Sequence, residues 1–117
     1  MNTMTFLKKR ARSLFVITFA SVSLASCAAV MMPIPNSADA ARAAEKFPGT
    51  TMADLDQGKV NYERHCQRCH ALYDPKSEPE AEWREIVPHM AKKAKIDAAT
   101  EQSILRYVVV MSAHTPQ

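Results

Sequence analysis

Cys66-Gln67-Arg68-Cys69-His70 is the stretch from which the rest of the chain can be read. Two thiols three positions apart on one helical turn can each form a thioether to a vinyl group of a single porphyrin. The C-x-x-C-H spacing is that of c-type haem attachment. His70 then lies under the ring plane, where an imidazole nitrogen can reach the iron. The pattern sets three positions with uncommon residue types, so a chance match in 117 residues is rare. It occurs once, and the expectation is one covalently held haem c.

Upstream, Lys8, Lys9, Arg10 and Arg12 precede an apolar run from Leu14 to Ala25, and small residues surround Cys27. This order predicts a secretory signal peptide over residues 1–26. The apolar run, about a dozen residues, falls short of the ~20 that a membrane-spanning helix needs. Leu24-Ala25-Ser26-Cys27 resembles a bacterial lipobox, in which the cysteine is acylated and becomes the first mature residue. Several acyl chains, each contributing ~0.8 kcal/mol per buried CH₂, hold a protein where one does not. The plainer alternative is a signal peptide with an incidental cysteine. On the lipobox reading the protein is exported and anchored through Cys27 on the periplasmic side of a bacterial membrane. Ala28 after the cysteine, rather than Asp, leans toward the outer membrane without settling the choice.

Cleavage alters the charge. The full chain has 15 Lys and Arg against 12 Asp and Glu, a net charge of +3. Residues 1–26 hold four basic and no acidic side chains, so the mature chain has 11 against 12, a net charge of −1. The basic balance of the whole sequence is therefore no argument for nucleic-acid binding. Cys27 takes lipid while Cys66 and Cys69 take haem. That uses all three cysteines, leaving none for a disulfide or a separate metal site. Thiol–disulfide exchange at C-x-x-C needs a βαβ context that the sequence lacks. Zinc needs four well-spaced ligands, whereas Cys66, Cys69 and His70 are clustered.

Residues 27–51 are rich in Ala, Pro and Ser, and Pro33, Pro35 and Pro48 interrupt any long helix. They read as a flexible tether whose root-mean-square reach is roughly 25–30 Å. The folded domain is expected over residues 52–114, with a tail at 115–117. So small a core is marginal without a staple, and haem supplies the missing apolar volume. Three helices are predicted. The first, from Met52 to Cys69, carries Leu55, Val60 and Tyr62 as apolar contacts and Gly58 as a close-approach site. The second opens at a capping box of Ser77 and Glu80, shows Trp83, Ile86 and Val87 on one face, and stops near Pro88. The third begins near Asp97 and carries Ile104, Leu105, Tyr107, Val108 and Met111 with helical periodicity, although Val108-Val109-Val110 is also β-prone. The fold class is all-α.

With these elements in place, residues 52–113 resemble a small class I cytochrome c domain. Gly58 and Tyr62, four apart and ahead of Cys66, match the residues that cross the last helix in that family, and Ile104 and Tyr107 match their partners. The run from His70-Ala71-Leu72 through Trp83, Met90, Ala94 and Tyr107 also resembles compact cytochrome c domains associated with oxidoreductases. The resemblance implies His70 as the first axial ligand. Its second ring nitrogen would be held by a proline carbonyl, with Pro75 and Pro79 as the candidates. Met90 stands where the family places its axial methionine, freed to turn toward iron by a helix break at Pro88. His89 is the competing ligand. Met111 is expected in the core, while Met31, Met32 and Met52 lie outside the ligand loop. His65 is expected at the surface, and His114 belongs to the tail. Trp83 either donates its indole N–H to a haem propionate or packs in the core. Lys92, Lys93 and Lys95 either steer an acidic redox partner or are simply solvated, as is the cluster Glu78, Glu80, Glu82 and Glu85.

The function expected on this basis is a monohaem, membrane-tethered single-electron carrier, monomeric and without enzymatic activity of its own. Its partners would be redox proteins: a dehydrogenase or quinol-oxidising complex as donor, another haem protein or terminal oxidoreductase as acceptor. The alternative is a haem enzyme or a gas or redox sensor with an open sixth iron position.

Overall fold

A computed structural model describes residues 31–113; the expected signal peptide over residues 1–26, Cys27 and His114 lie outside the described residues. Four helices account for the architecture: α1 (Ser37–Lys46), α2 (Met52–Cys66), α3 (Glu80–Ala94) and α4 (Ala98–Ser112). A 3₁₀ turn at Pro75–Ser77 lies between α2 and α3, and no strand occurs among the described residues. The fold is a small all-α, cytochrome c-like domain.

The helix starts follow local chemistry. Thr51 and Asp54 form a reciprocal capping box at α2, with the Asp54 carboxylate accepting the Thr51 N–H at 2.8 Å. Asp97 caps α4 by accepting the Thr100 N–H at 2.9 Å. The Thr51 hydroxyl holds the Asp54 carboxyl below the usual carboxylate range, and the Thr100 amide does the same for Asp97.

α3 departs from expectation at both ends. Pro79 is its N-cap, and the Ser77/Glu80 capping box does not form. Ser77 closes the 3₁₀ turn, while the Glu80 carboxylate accepts from Lys46 at 2.5 Å and from Arg84 at 2.7 Å. Nor does Pro88 end the helix, which continues through Met90 to Ala94. An interior proline forfeits one hydrogen bond and crowds the carbonyl four residues back, at a cost of about 3 kcal/mol. Trp83, Val87 and Ala91, spaced four apart and all buried, hold the helix against the core on both sides of Pro88 and offset that cost. Lys95 then terminates α3 in the left-handed region (φ 54°, ψ 43°), its N–H directed at the Ala91 and Lys92 carbonyls. Glycine adopts this conformation without the Cβ penalty, so Lys95→Gly should raise stability by about 1 kcal/mol in thermal unfolding.

α4 is the central element. From Ile104 to Ser112 every residue except Arg106 is buried, because α1, α2, α3 and the 3₁₀ turn all pack on it. Burial all round explains why a run of three valines sits comfortably in a helix: its side chains meet core on every side. Where α2 crosses α4, a Cβ placed on Gly58 would lie 2.5 Å from the Ser103 carbonyl oxygen and 2.7 Å from Tyr107 Cβ. Of the expected partners, Tyr107 meets both Gly58 and Tyr62, whose ring lies 6.0 Å from its own, and Ile104 is buried in the same core. Val60, expected as a core contact, is 51% exposed on the outer face of α2.

The region expected to be a tether is folded from Met32 onward. Met32 is buried, and the Tyr107 hydroxyl donates to the Pro33 carbonyl at 2.8 Å. α1 then lies on α2 and α4, with Asp39 and Ala43 fully buried. Its contact face is small, an alanine and a carboxylate, and so it leaves little hydrophobic signal. The Asp39 carboxylate is satisfied by the Asn36 N–H at 2.8 Å and by the Arg42 guanidinium. The domain boundary therefore moves from Met52 back to Met32.

Candidate haem-binding site

α2 ends at Cys66, and a turn over Gln67–Cys69 leads to His70 and an irregular stretch before the 3₁₀ turn. Cys66 is half-buried; Cys69 and His70 are exposed, and both thiols are free. These three residues line a cavity of about 370 Å³ together with Trp83 and Met90 of α3 and Ile104 of α4. That volume is of the size found for cofactor pockets, ~300–1,000 Å³. The remaining wall is largely aliphatic, including Ile86, Val87, Ala91 and Ile96. Among the described residues none before Tyr62 lines it, so α1 buttresses the core without entering the site.

The donor set fits haem c. Burial, and then the neighbouring Cys69, push the Cys66 thiol up to about 11, so it is a neutral thiol at neutral pH. The His70 Nδ1 lies 2.7 Å from the Ala71 carbonyl oxygen. A carbonyl can only accept, so Nδ1 carries the proton and the Nε2 lone pair is free for a metal. His65 also faces the cavity, contrary to the expectation of a surface residue, and its buried Nδ1 has no hydrogen-bond partner among the described residues. Of the two candidates for the second axial position, Met90 lines the cavity, whereas His89 is exposed and does not. Met32 and Met111 are core residues, Met31 is exposed, and Met52 is partly buried.

Two other expectations are corrected by hydrogen bonding. The Trp83 indole N–H donates to the Pro75 carbonyl at 2.7 Å inside the core, so its single donor is not available to a propionate. The same bond occupies the Pro75 carbonyl. Ala71 carries the acceptor for His70, not Pro75 or Pro79. Trp83→Phe would leave the Pro75 carbonyl without its donor, and should cost roughly 1–2 kcal/mol in chemical denaturation with the fold retained.

Tyr62 links these parts. Its ring meets Trp83 edge-on at a centroid distance of 6.2 Å and Tyr107 at 6.0 Å, and its hydroxyl donates to the Tyr73 carbonyl at 2.9 Å. Burial pushes the phenol well above its ordinary range, so the hydroxyl remains a donor. Lys92 and Lys93 are exposed on the last turn of α3, with Lys93 at the cavity wall and Lys95 just beyond. Glu82 and Glu85 are exposed and Glu78 is partly buried, while Glu80 is tied to Lys46 and Arg84.

Residues 62–117, a little under half of the chain, match the family model of dihaem cytochrome c. That stretch holds the C-x-x-C-H motif and all of α3 and α4, and the match supports a cytochrome c-type domain. The family's description specifies two haems, whereas this sequence contains a single C-x-x-C-H. No curated protein and no solved structure matches the chain. Among the described residues, no helix is long and apolar enough to cross a membrane.

Proposed function

We propose that this chain is a monohaem c-type cytochrome that carries single electrons between redox proteins at the periplasmic face of a bacterial membrane. The observation that carries this reading is the convergence of Cys66, Cys69, His70 and Met90 on one largely apolar cavity. Haem, when bound, supplies reversible one-electron exchange at iron. Cys66 and Cys69 would hold it covalently, while His70 and Met90 would ligate from the 70–74 segment and from α3. The aliphatic wall keeps water away from the metal, and a thioether ligand favours the ferrous state relative to a second imidazole. Two thiols in the haem motif match one haem, in contrast to the family's description. With His70 and Met90 both holding the group, the protein would act as a carrier and not as an enzyme.

Cys27 is the proposed lipid anchor and residues 1–26 the signal peptide that exports the chain. The donor would be a dehydrogenase or quinol-oxidising complex and the acceptor another haem protein or terminal oxidoreductase, met by a monomeric carrier. The exposed Lys92, Lys93 and Lys95 offer such a partner a basic edge near the cavity.

The test is expression with a haem-maturation system, followed by spectra of wild type and Met90→Ala. One haem per chain should survive acid–acetone extraction. Ferric wild type should show the weak red charge-transfer band of a methionine–iron bond, lost in Met90→Ala. A high-spin ferric wild type, or a band that persists in the variant, would overturn the ligand set and favour an open iron site.

A further inference from the structure

We infer that Tyr62 and Tyr73 are positioning residues for the His70 imidazole. The inference rests on the reading of His70 as an iron ligand and extends it to what sets the ligand's orientation and basicity. Two groups within three residues of His70 touch its ring. The Ala71 carbonyl accepts from Nδ1 at 2.7 Å, and the Tyr73 ring lies against the imidazole at a centroid distance of 5.5 Å and an interplanar angle of 50°. Both belong to an irregular segment with no helical hydrogen bonding of its own, and a segment of that kind needs an outside tie. The tie is the Tyr62 hydroxyl, which donates to the Tyr73 carbonyl at 2.9 Å. Tyr62 is itself 3% exposed and wedged between Trp83 and Tyr107, so the tie runs to the rigid crossing of α2 and α4. The proline carbonyls that could otherwise have held His70 play no part: Pro75 is engaged by Trp83.

The chemical consequence follows from the Nδ1–H bond. A firmly placed acceptor draws the proton outward, makes the imidazole a stronger donor to iron and favours the ferric state. Loosening the segment weakens the bond and favours the ferrous state. The ring of Tyr73 limits rotation of the imidazole, which low-spin ferric EPR reads directly through its g-values.

The experiment uses the holo-protein carrying Tyr62→Phe, Tyr73→Ala, Tyr73→Phe or His70→Ala, with EPR and redox titration as readouts. Tyr62→Phe removes only the hydroxyl, and Tyr73→Ala truncates a side chain that is 59% exposed, so the latter leaves the core intact. Tyr62→Phe should move the midpoint potential positive, raising the ferrous-to-ferric ratio severalfold at fixed applied potential, whereas Tyr73→Ala, which keeps the carbonyl that Tyr62 holds, should shift or broaden the g-values. Tyr73→Phe keeps the ring and should match wild type. Wild-type g-values in Tyr73→Ala, or a wild-type potential in Tyr62→Phe, overturn the inference, and Tyr73→Ala decides alone if Tyr62→Phe does not fold. A wild type without a low-spin signal, or one unchanged by His70→Ala, overturns the ligand reading and the inference with it. A signal lost in His70→Ala but unmoved by Tyr73→Ala overturns the inference only.

Discussion

A chain carrying both Cys66→Ala and Cys69→Ala should emerge from a haem-maturation system colourless after acid–acetone extraction and largely unfolded. The first half follows from chemistry: without thiols no thioether forms, and a haem held by axial ligands alone is extracted. The second follows from volume. At ~24 cal/mol per Å³, a cavity of about 370 Å³ left unfilled sets an upper cost near 9 kcal/mol. That is comparable with the whole stability of a small domain, ~5–15 kcal/mol. Far-UV circular dichroism should therefore show helix loss in the double variant, while either single variant, which keeps one thioether, should retain more. Haem that stays with the double variant through extraction would mean that the attachment chemistry lies elsewhere.

Gly58→Leu should produce a large loss of stability from a single substitution outside the haem motif. On an isolated helix the change would help, since glycine costs about 1 kcal/mol relative to a good helix former. Here the first carbon of any side chain already meets the Ser103 carbonyl oxygen at 2.5 Å and Tyr107 Cβ at 2.7 Å. A backbone carbonyl cannot swing aside as a flexible side chain would, so α2 and α4 must separate. Overpacking of this kind costs about 1–3 kcal/mol, and leucine in place of hydrogen belongs at the upper end. For a domain of this size 3 kcal/mol corresponds to a fall of roughly 12–24 °C in Tm. Gly58→Ala should fall by less but in the same direction. An unchanged or raised Tm in either holo-variant would show that the crossing can open without loss.

The part of the fold visible in sequence is the part built from strong local signals. The motif at 66–70 and the apolar periodicity of α4 carried the helices, Gly58 read as a close-approach site, and the family resemblance placed that approach at the last helix. The hidden part has physical reasons for being hidden. α1 buries only Ala43 and a satisfied carboxylate at full depth, so its composition resembles that of a linker. Pro88 reads as a break, yet Trp83 and Ala91 on either side of it are buried on one stripe and carry the helix across. Trp83 has one donor, and only the folded path of the 3₁₀ turn brings Pro75 to it. The Ala71 acceptor for His70 has no side-chain signature at all, since any residue supplies a carbonyl.

The folded N-terminal segment would change the mechanics of the proposed carrier if Cys27 carries lipid. With Met32 sealed into the core and Pro33 fastened to Tyr107, only residues 28–31 separate the core from Cys27. Five residue steps span at most about 17 Å, even fully extended. With lipid on Cys27, the domain would not sweep a wide volume in search of a partner. It would skim the bilayer on a short leash, and encounters would depend on lateral diffusion in the plane of the membrane.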